Sequence, residues 1–217
     1  MTALRLFALS AILLALLGCD QKPVAKTADA FVEGVHFRTL DQPISHSGAA
    51  ITVSEFFWYG CSHCENFEPI LQRWSDRQGA DVRVERIPAV WSEMMQLHAR
   101  IYFVTSRLNL LKPLHPLLFE PIMALRGEKS IAKQRQQLAG LFAQHGVNAE
   151  RFNAELDAPE TDQQLQRAMA AMATAKINST PTLMVNGRYV VISRSADSPE
   201  QLMAIVDYLV ALERPLS

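Results

Sequence analysis

Two cysteines separated by two residues, Cys61-Ser62-His63-Cys64, constrain this chain more than any other feature. Such a pair can close a small disulfide or supply half of a metal site, and its flanks decide which. Upstream, Ile51 to Trp58 alternates and is rich in β-branched and aromatic residues, the pattern of a strand. Downstream, Phe67, Ile70, Leu71 and Trp74 recur at helical spacing. The pair is therefore expected at a strand-to-helix junction, with Cys61 at or just before the first helical turn. Unpaired backbone N–H groups and the positive end of the helix dipole favour a thiolate there. Zinc needs about four ligands, and no second Cys pair or His pair at ligand spacing follows. The redox reading is the stronger one.

The chain has 217 residues, 49% of them hydrophobic, and a net charge of −1, which suits one or two globular domains. It has no basic run, so a nucleic-acid partner is not expected. Residues 1–18 read as a targeting segment. Arg5 precedes an apolar run from Leu6 to Leu17, too short for the roughly 20 residues of a membrane span. The run ends Leu16-Leu17-Gly18-Cys19, which resembles the lipobox of bacterial lipoproteins. That resemblance implies a lipid on Cys19, which becomes the mature N-terminus; an ordinary secretory signal would leave Cys19 as a spare thiol. Three cysteines are an awkward count for an exported protein. Assigning Cys19 to lipid leaves Cys61 and Cys64 as one pair in an oxidising compartment. Residues 19–30 form a polar tether, and Asp20 after the lipid cysteine resembles an inner-membrane retention signal.

Val35 to Arg38 is expected to form a short first strand, and Asp81 to Ile87 a later one. The β pattern then vanishes for about 90 residues. Met94, His98, Ile101, Tyr102, Thr105 and Leu108 share one helical face. Leu114 to Leu125 suggests a second helix, interrupted by Pro113, Pro116 and Pro121. Leu138, Leu141 and Phe142 mark a third. Leu165 to Ala175 marks another, opened by a Thr161/Gln164 capping box. Strands return at Thr182–Val185 and Tyr189–Ile192, joined by the hairpin dipeptide Asn186-Gly187. Ser198-Pro199-Glu200-Gln201 opens a closing helix.

This order resembles the thioredoxin fold with a helical insertion, as in the DsbA family of periplasmic thiol-disulfide oxidoreductases. Three stretches carry the resemblance: Glu55-Phe56-Phe57, Cys61-Ser62-His63-Cys64, and Ile177 to Thr182. It implies an α/β architecture, with residues 31–89 and 177–217 forming a thioredoxin-like domain around a helical insertion at 90–176. In that frame Cys61 is the nucleophile, Cys64 resolves the mixed disulfide, and His63 stabilises the Cys61 thiolate. Glu55 shares a strand face with Ile51, Val53 and Phe57. It is either an interior carboxylate that shuttles protons to Cys64 or a wet carboxylate at the sheet rim. Thr180-Pro181 resembles the family's cis-proline loop, which lies beside the nucleophile and pairs with substrate; Trp58 and Tyr59 either border that surface or belong to the core. The remaining histidines, His98 and His115 among them, are taken as structural.

The resemblance implies no cofactor beyond the Cys61–Cys64 disulfide, exported cysteine-containing proteins as substrates, and a DsbB-like membrane protein as redox partner. It implies a monomer as well, because family isomerases carry an N-terminal dimerisation domain for which about 30 residues leave no room. Ser62 replaces a common proline and Thr180 a common valine, at positions that tune redox potential and partner choice in the family. The expected activity is donation of the disulfide from a periplasmic, inner-membrane-anchored protein. The alternatives are a reductase or isomerase kept reduced by a membrane donor, and a copper chaperone using Cys61, Cys64 and His63.

Overall fold

Five strands form one sheet in a computed structural model that describes residues 31–215. The signal segment, Cys19 and the polar tether lie outside the described residues. The strands are β1 (Phe37–Thr39), β2 (Ile51–Phe57), β3 (Val82–Pro88), β4 (Thr182–Val185) and β5 (Tyr189–Val191), in the order β1-β5-β4-β2-β3. β2 is an interior strand, paired on both edges and buried throughout, its polar Thr52, Ser54 and Glu55 included. It pairs in parallel with β3, Ile51 facing Val82, and antiparallel with β4, Phe56 facing Thr182. The antiparallel pairing has a direct consequence for the site. The end of β2 and the start of β4 lie at the same edge, so Thr180-Pro181 is brought beside the cysteine turn.

Asn186 and Gly187 make the expected hairpin, both in the left-handed region at φ 52° and 62°, the geometry a two-residue turn needs to match strand twist. Gly187 is doubly constrained. A Cβ there would stand 2.0 Å from the Ile44 carbonyl oxygen, because the Ile44 N–H donates to Gly187 O at 2.8 Å. The first strand forms at Phe37–Thr39 rather than from Val35, since Val32 to His36 closes a hydrogen-bonded turn.

On one face of the sheet, helix α1 (Ser62–Ser75) buries Phe67, Leu71 and Trp74. Pro69 is accommodated inside it. Between β3 and β4 run α2 (Glu93–Arg107), α3 (Leu111–Leu114), α4 (Phe119–Ala124), α5 (Ile131–Ala143), α6 (Ala149–Leu156) and α7 (Pro159–Thr174). The prolines at 113, 116 and 121 remove backbone donors and split the expected second helix into the short α3 and α4. Helix α6 had no sequence signal beyond Phe152 and Leu156, one turn apart and both buried. The Thr161/Gln164 capping box does not form. Pro159 starts α7 earlier, Ala158 is its uncapped N-cap, and the Thr161 hydroxyl donates to Glu155 O at 2.7 Å.

Helix α8 (Pro199–Glu213) packs with α1 on the same face, burying Leu202, Ile205, Val206 and Leu209. Ser198 Oγ caps it by accepting from Gln201 N–H, while Gln201 Oε1 accepts from Asp197 N–H. A second core, with Phe56, Phe57, Tyr59, Ile101, Phe119 and Phe142, joins the sheet to the α2–α7 block.

Gly187→Ala is expected to destabilise the fold by about 2 kcal/mol or more, because it combines positive φ with a clash. Gly127→Ala has open space around its Cβ and is expected to be near neutral. Urea unfolding of both variants measures the difference.

Candidate active site

The turn Trp58-Tyr59-Gly60 carries the chain from the end of β2 to Cys61, the N-cap of α1 at φ −107°, ψ 111°. Cys61 Sγ takes the place of the usual capping oxygen and accepts from the Cys64 N–H at 3.4 Å. Cys61 is partly exposed, whereas Cys64, one turn further, is fully buried; both are free thiols in this structure. Thr180 O is 3.5 Å from Cys61 Sγ, and the Thr180-Pro181 bond is cis.

Donors converge on the Cys61 sulfur. Its pKa falls to about 5, chiefly because the Cys64 thiol donates to it. Burial opposes the shift, and the Thr180 side chain and the backbone N–H groups of Cys64 and His63 add to it. Cys64 moves the other way. It gives its hydrogen to Cys61 and is buried, so its pKa is driven far up, opposed by the Trp58 backbone N–H and the Thr180 side chain. The two thiols thus differ in proton affinity because one is a hydrogen-bond sink and the other a source. His63 acts on Cys61 through its backbone N–H; its side chain is exposed.

Glu55 lies inside the protein, 1% exposed, not at the sheet rim. Neither carboxyl oxygen has a hydrogen-bond partner, and the nearest cation is Arg86, whose Nε is 3.6 Å from Oε2. Burial pushes its pKa up to about 8, with the Glu68 charge adding, Arg86 opposing, and Cys61 adding a little more. Near neutral pH this carboxyl holds its proton.

Arg86 is already committed to Glu68, with Nε 3.1 Å and Nη2 2.5 Å from its two carboxyl oxygens. Burial alone would raise the Glu68 pKa, but the His115 ring and the Arg86 guanidinium hold it below the usual range. His115 Nε2 stands 3.3 Å from Glu68 Oε2, and its Nδ1 is 2.7 Å from the Tyr59 hydroxyl. Sequence reading missed Glu68, Arg86 and His115 as members of this site. Glu68 had a signal, one helical turn after Cys64. Arg86 faces Glu55 across the parallel register, which only the pairing reveals. Tyr59 is core, and Trp58 is partly buried. Among the described residues no group of three or more His, Cys, Asp or Glu could hold a metal ion.

A protein-family model described as thioredoxin matches residues 43–208. The thiol:disulfide interchange protein DsbA of Pseudomonas aeruginosa is 30% identical over 192 residues, covering 88% of this chain and 90% of that protein. The protein of the same name from Azotobacter vinelandii is 28% identical over 172 residues, 79% of this chain and 78% of its own length. Among solved structures, the oxidoreductase DsbA from Xylella fastidiosa superimposes with a TM-score of 0.76 at 33% identity. It matches 84% of this chain and 97% of its own. The Pseudomonas aeruginosa DsbA crystal structure gives 0.76 at 30% identity, over 86% and 96%.

The raised Glu55 pKa has a stability consequence with a definite sign. A carboxyl whose folded pKa, about 8, exceeds its unfolded value of 4.5 favours folding fully below pH 4.5. That contribution is lost as pH rises through 8. Relative to Glu55→Gln, the reduced wild type should lose up to about 5 kcal/mol between those pH values, at 1.36 kcal/mol per unit. Urea unfolding at pH 4.5 and pH 8 checks it; a wild-type-to-variant difference that does not change with pH would place the carboxylate in water.

Proposed function

This chain belongs to the DsbA family and is a thiol:disulfide oxidoreductase, and from that premise we propose that it donates its Cys61–Cys64 disulfide to exported proteins from a periplasmic membrane tether. One observation carries the direction of transfer: Cys61, the N-cap of α1, has a pKa near 5. At pH 7 the reduced form is then favoured by about 2 units, or roughly 2.7 kcal/mol. At about 30 mV per 1.4 kcal/mol, this raises the reduction potential by about 60 mV over a pair with an unshifted thiol. A disulfide so poised gives up its bond to substrate.

In the proposed cycle a substrate thiolate attacks Cys61 Sγ, the Cys61–Cys64 bond breaks, and Cys64 leaves with the electron pair. Cys64 has a high proton affinity and is buried, so it needs a proton, and protonated Glu55 supplies one. A second substrate thiolate then attacks the substrate sulfur of the mixed disulfide and expels Cys61, a good leaving group because its thiolate is stable. The product is a substrate disulfide and a reduced Cys61/Cys64 pair. Thr180 and Pro181 line the path of the substrate, whose backbone adds to the Thr180 edge as a strand. His63 supplies its backbone N–H to the Cys61 sulfur. A DsbB-like membrane protein reoxidises the pair. The lipid on Cys19 and the short tether, reaching roughly 15–20 Å, keep the domain near that partner. The thioredoxin-like parts at 31–89 and 177–217 and the helices at 90–176 act as one monomeric unit in this scheme.

Thiol trapping in cells should find the pair mostly oxidised, and Cys64→Ala should accumulate mixed disulfides with exported proteins while Cys61→Ala accumulates none. A pair found mostly reduced would make the protein a reductant. For the anchor, wild-type protein should partition with membranes and take up labelled fatty acid, and Cys19→Ala should do neither. Equal membrane binding by the variant would remove the lipid from the scheme.

A further inference from the structure

Behind the cysteine turn runs a buried hydrogen-bonded chain that the exchange chemistry does not use. Trp58 Nε1–H donates to His98 Nδ1 at 2.9 Å, and His98 Nε2 is 2.8 Å from Gln134 Oε1. Gln134 Nε2 in turn donates to Glu128 O at 2.6 Å. His98 is 1% exposed and Gln134 not at all. The direction of every bond is forced. An indole nitrogen can only donate, so His98 Nδ1 accepts. The proton of the neutral ring then sits on Nε2 and is given to the Gln134 oxygen, which leaves the amide nitrogen for Glu128 O. Burial lowers the His98 pKa and so favours this neutral ring. Each polar atom in the chain has its partner, the condition under which buried polar groups rigidify a structure.

The free end of the chain bears on the active site. The Trp58 indole lies against Gly60, so closely that a Cβ on Gly60 would sit 2.3 Å from the ring. Trp58 O accepts from the Cys61 N–H at 3.0 Å, closing the turn that presents the nucleophile. The backbone N–H of Trp58, not its indole, lowers the proton affinity of the Cys64 sulfur. His98 is on α2 and Gln134 on α5, so the Trp58 indole ties two helices of the inserted block to the turn between β2 and α1.

We propose that His98 and Gln134 are positioning residues for the active-site dithiol: by fixing the Trp58 indole over Gly60 they hold the turn that sets the backbone groups around Cys61 and Cys64. The inference rests on the exchange activity alone, not on its direction.

The test uses the full-length reduced protein and three variants. Trp58→Phe removes the indole donor and keeps a ring; His98→Leu removes both of the histidine's bonds. His98→Asn keeps an acceptor where Nδ1 stood. Two readouts are taken: the pH midpoint of Cys61 alkylation, and the rate at which Cys64 clears a preformed Cys61–glutathione mixed disulfide. In that step the Cys64 thiolate attacks Cys61 Sγ, the bond to glutathione breaks, and glutathione leaves as thiolate.

Trp58→Phe and His98→Leu should each slow clearance about five-fold, the worth of one net hydrogen bond, and raise the alkylation midpoint. Their double variant should be no worse than either alone, and His98→Asn should restore most of the rate. Unchanged midpoint and clearance in Trp58→Phe overturn the proposal even if His98→Leu fails to fold. Additive effects in the double variant, or His98→Asn behaving as His98→Leu, overturn it too. A merely structural histidine would move the melting temperature and leave both readouts in place. Wild-type protein that fails to exchange with glutathione would count against the activity, so the two failures are distinguishable.

Discussion

The convergence of hydrogen-bond donors on one sulfur atom is the interaction on which the rest of this structure depends. Cys61 Sγ accepts from the backbone of its own helix and from the Cys64 thiol, with Thr180 alongside. A helix N-terminus provides such donors because its first N–H groups have no partner within the helix. Replacing the usual capping oxygen with sulfur turns a structural device into a chemical one. The sulfur so surrounded is easily ionised, and its neighbour Cys64, buried and donating, holds its proton instead.

A second group of altered proton affinity lies deeper in the protein. Glu55 is placed in the interior with no hydrogen bond to either oxygen, and its one nearby cation is forked onto Glu68. A carboxylate in such a place would be expensive, and the group responds by keeping its proton to about pH 8. Had Arg86 been free to pair with Glu55, the carboxyl would have been ionised near neutral pH. Glu68 and His115 therefore matter through what they deny to Glu55. Tyr59, packed beneath the turn, ties His115 to the same segment that carries the cysteines.

The helices between β3 and β4 are more than a lid over one face of the sheet. They reach the active-site turn through Trp58, and again through Arg126, whose guanidinium donates to Gly60 O at 3.3 Å. The turn before Cys61 is thus held from the strand, from the helix and from the inserted block, which is what a site with fixed backbone donors requires.

The sequence alone determined what is decided by local pattern. Alternation placed β2, the 3.6-residue period placed α1, and their junction placed Cys61 at a helix start. Asn186-Gly187 made the hairpin because both positions demand positive φ, and Ser198 made a cap because its oxygen meets a free N–H three residues on. Thr161/Gln164 carried the same kind of cap signal and failed, since Pro159 set the helix start three residues earlier. Tertiary structure decided everything that depends on which segments meet. Thr180 is 119 residues from Cys61 and reaches it only because β4 runs antiparallel to β2. Whether Glu55 faced water or the interior turned on what covered its side of the sheet. Arg86 became its neighbour through a parallel register no local pattern reveals. His98 and His115 looked like ordinary core histidines, and their surroundings follow from packing between distant helices. Spacing within one element can be read from the chain, because backbone geometry fixes it; contacts between elements are set by register and packing, which only the folded molecule contains.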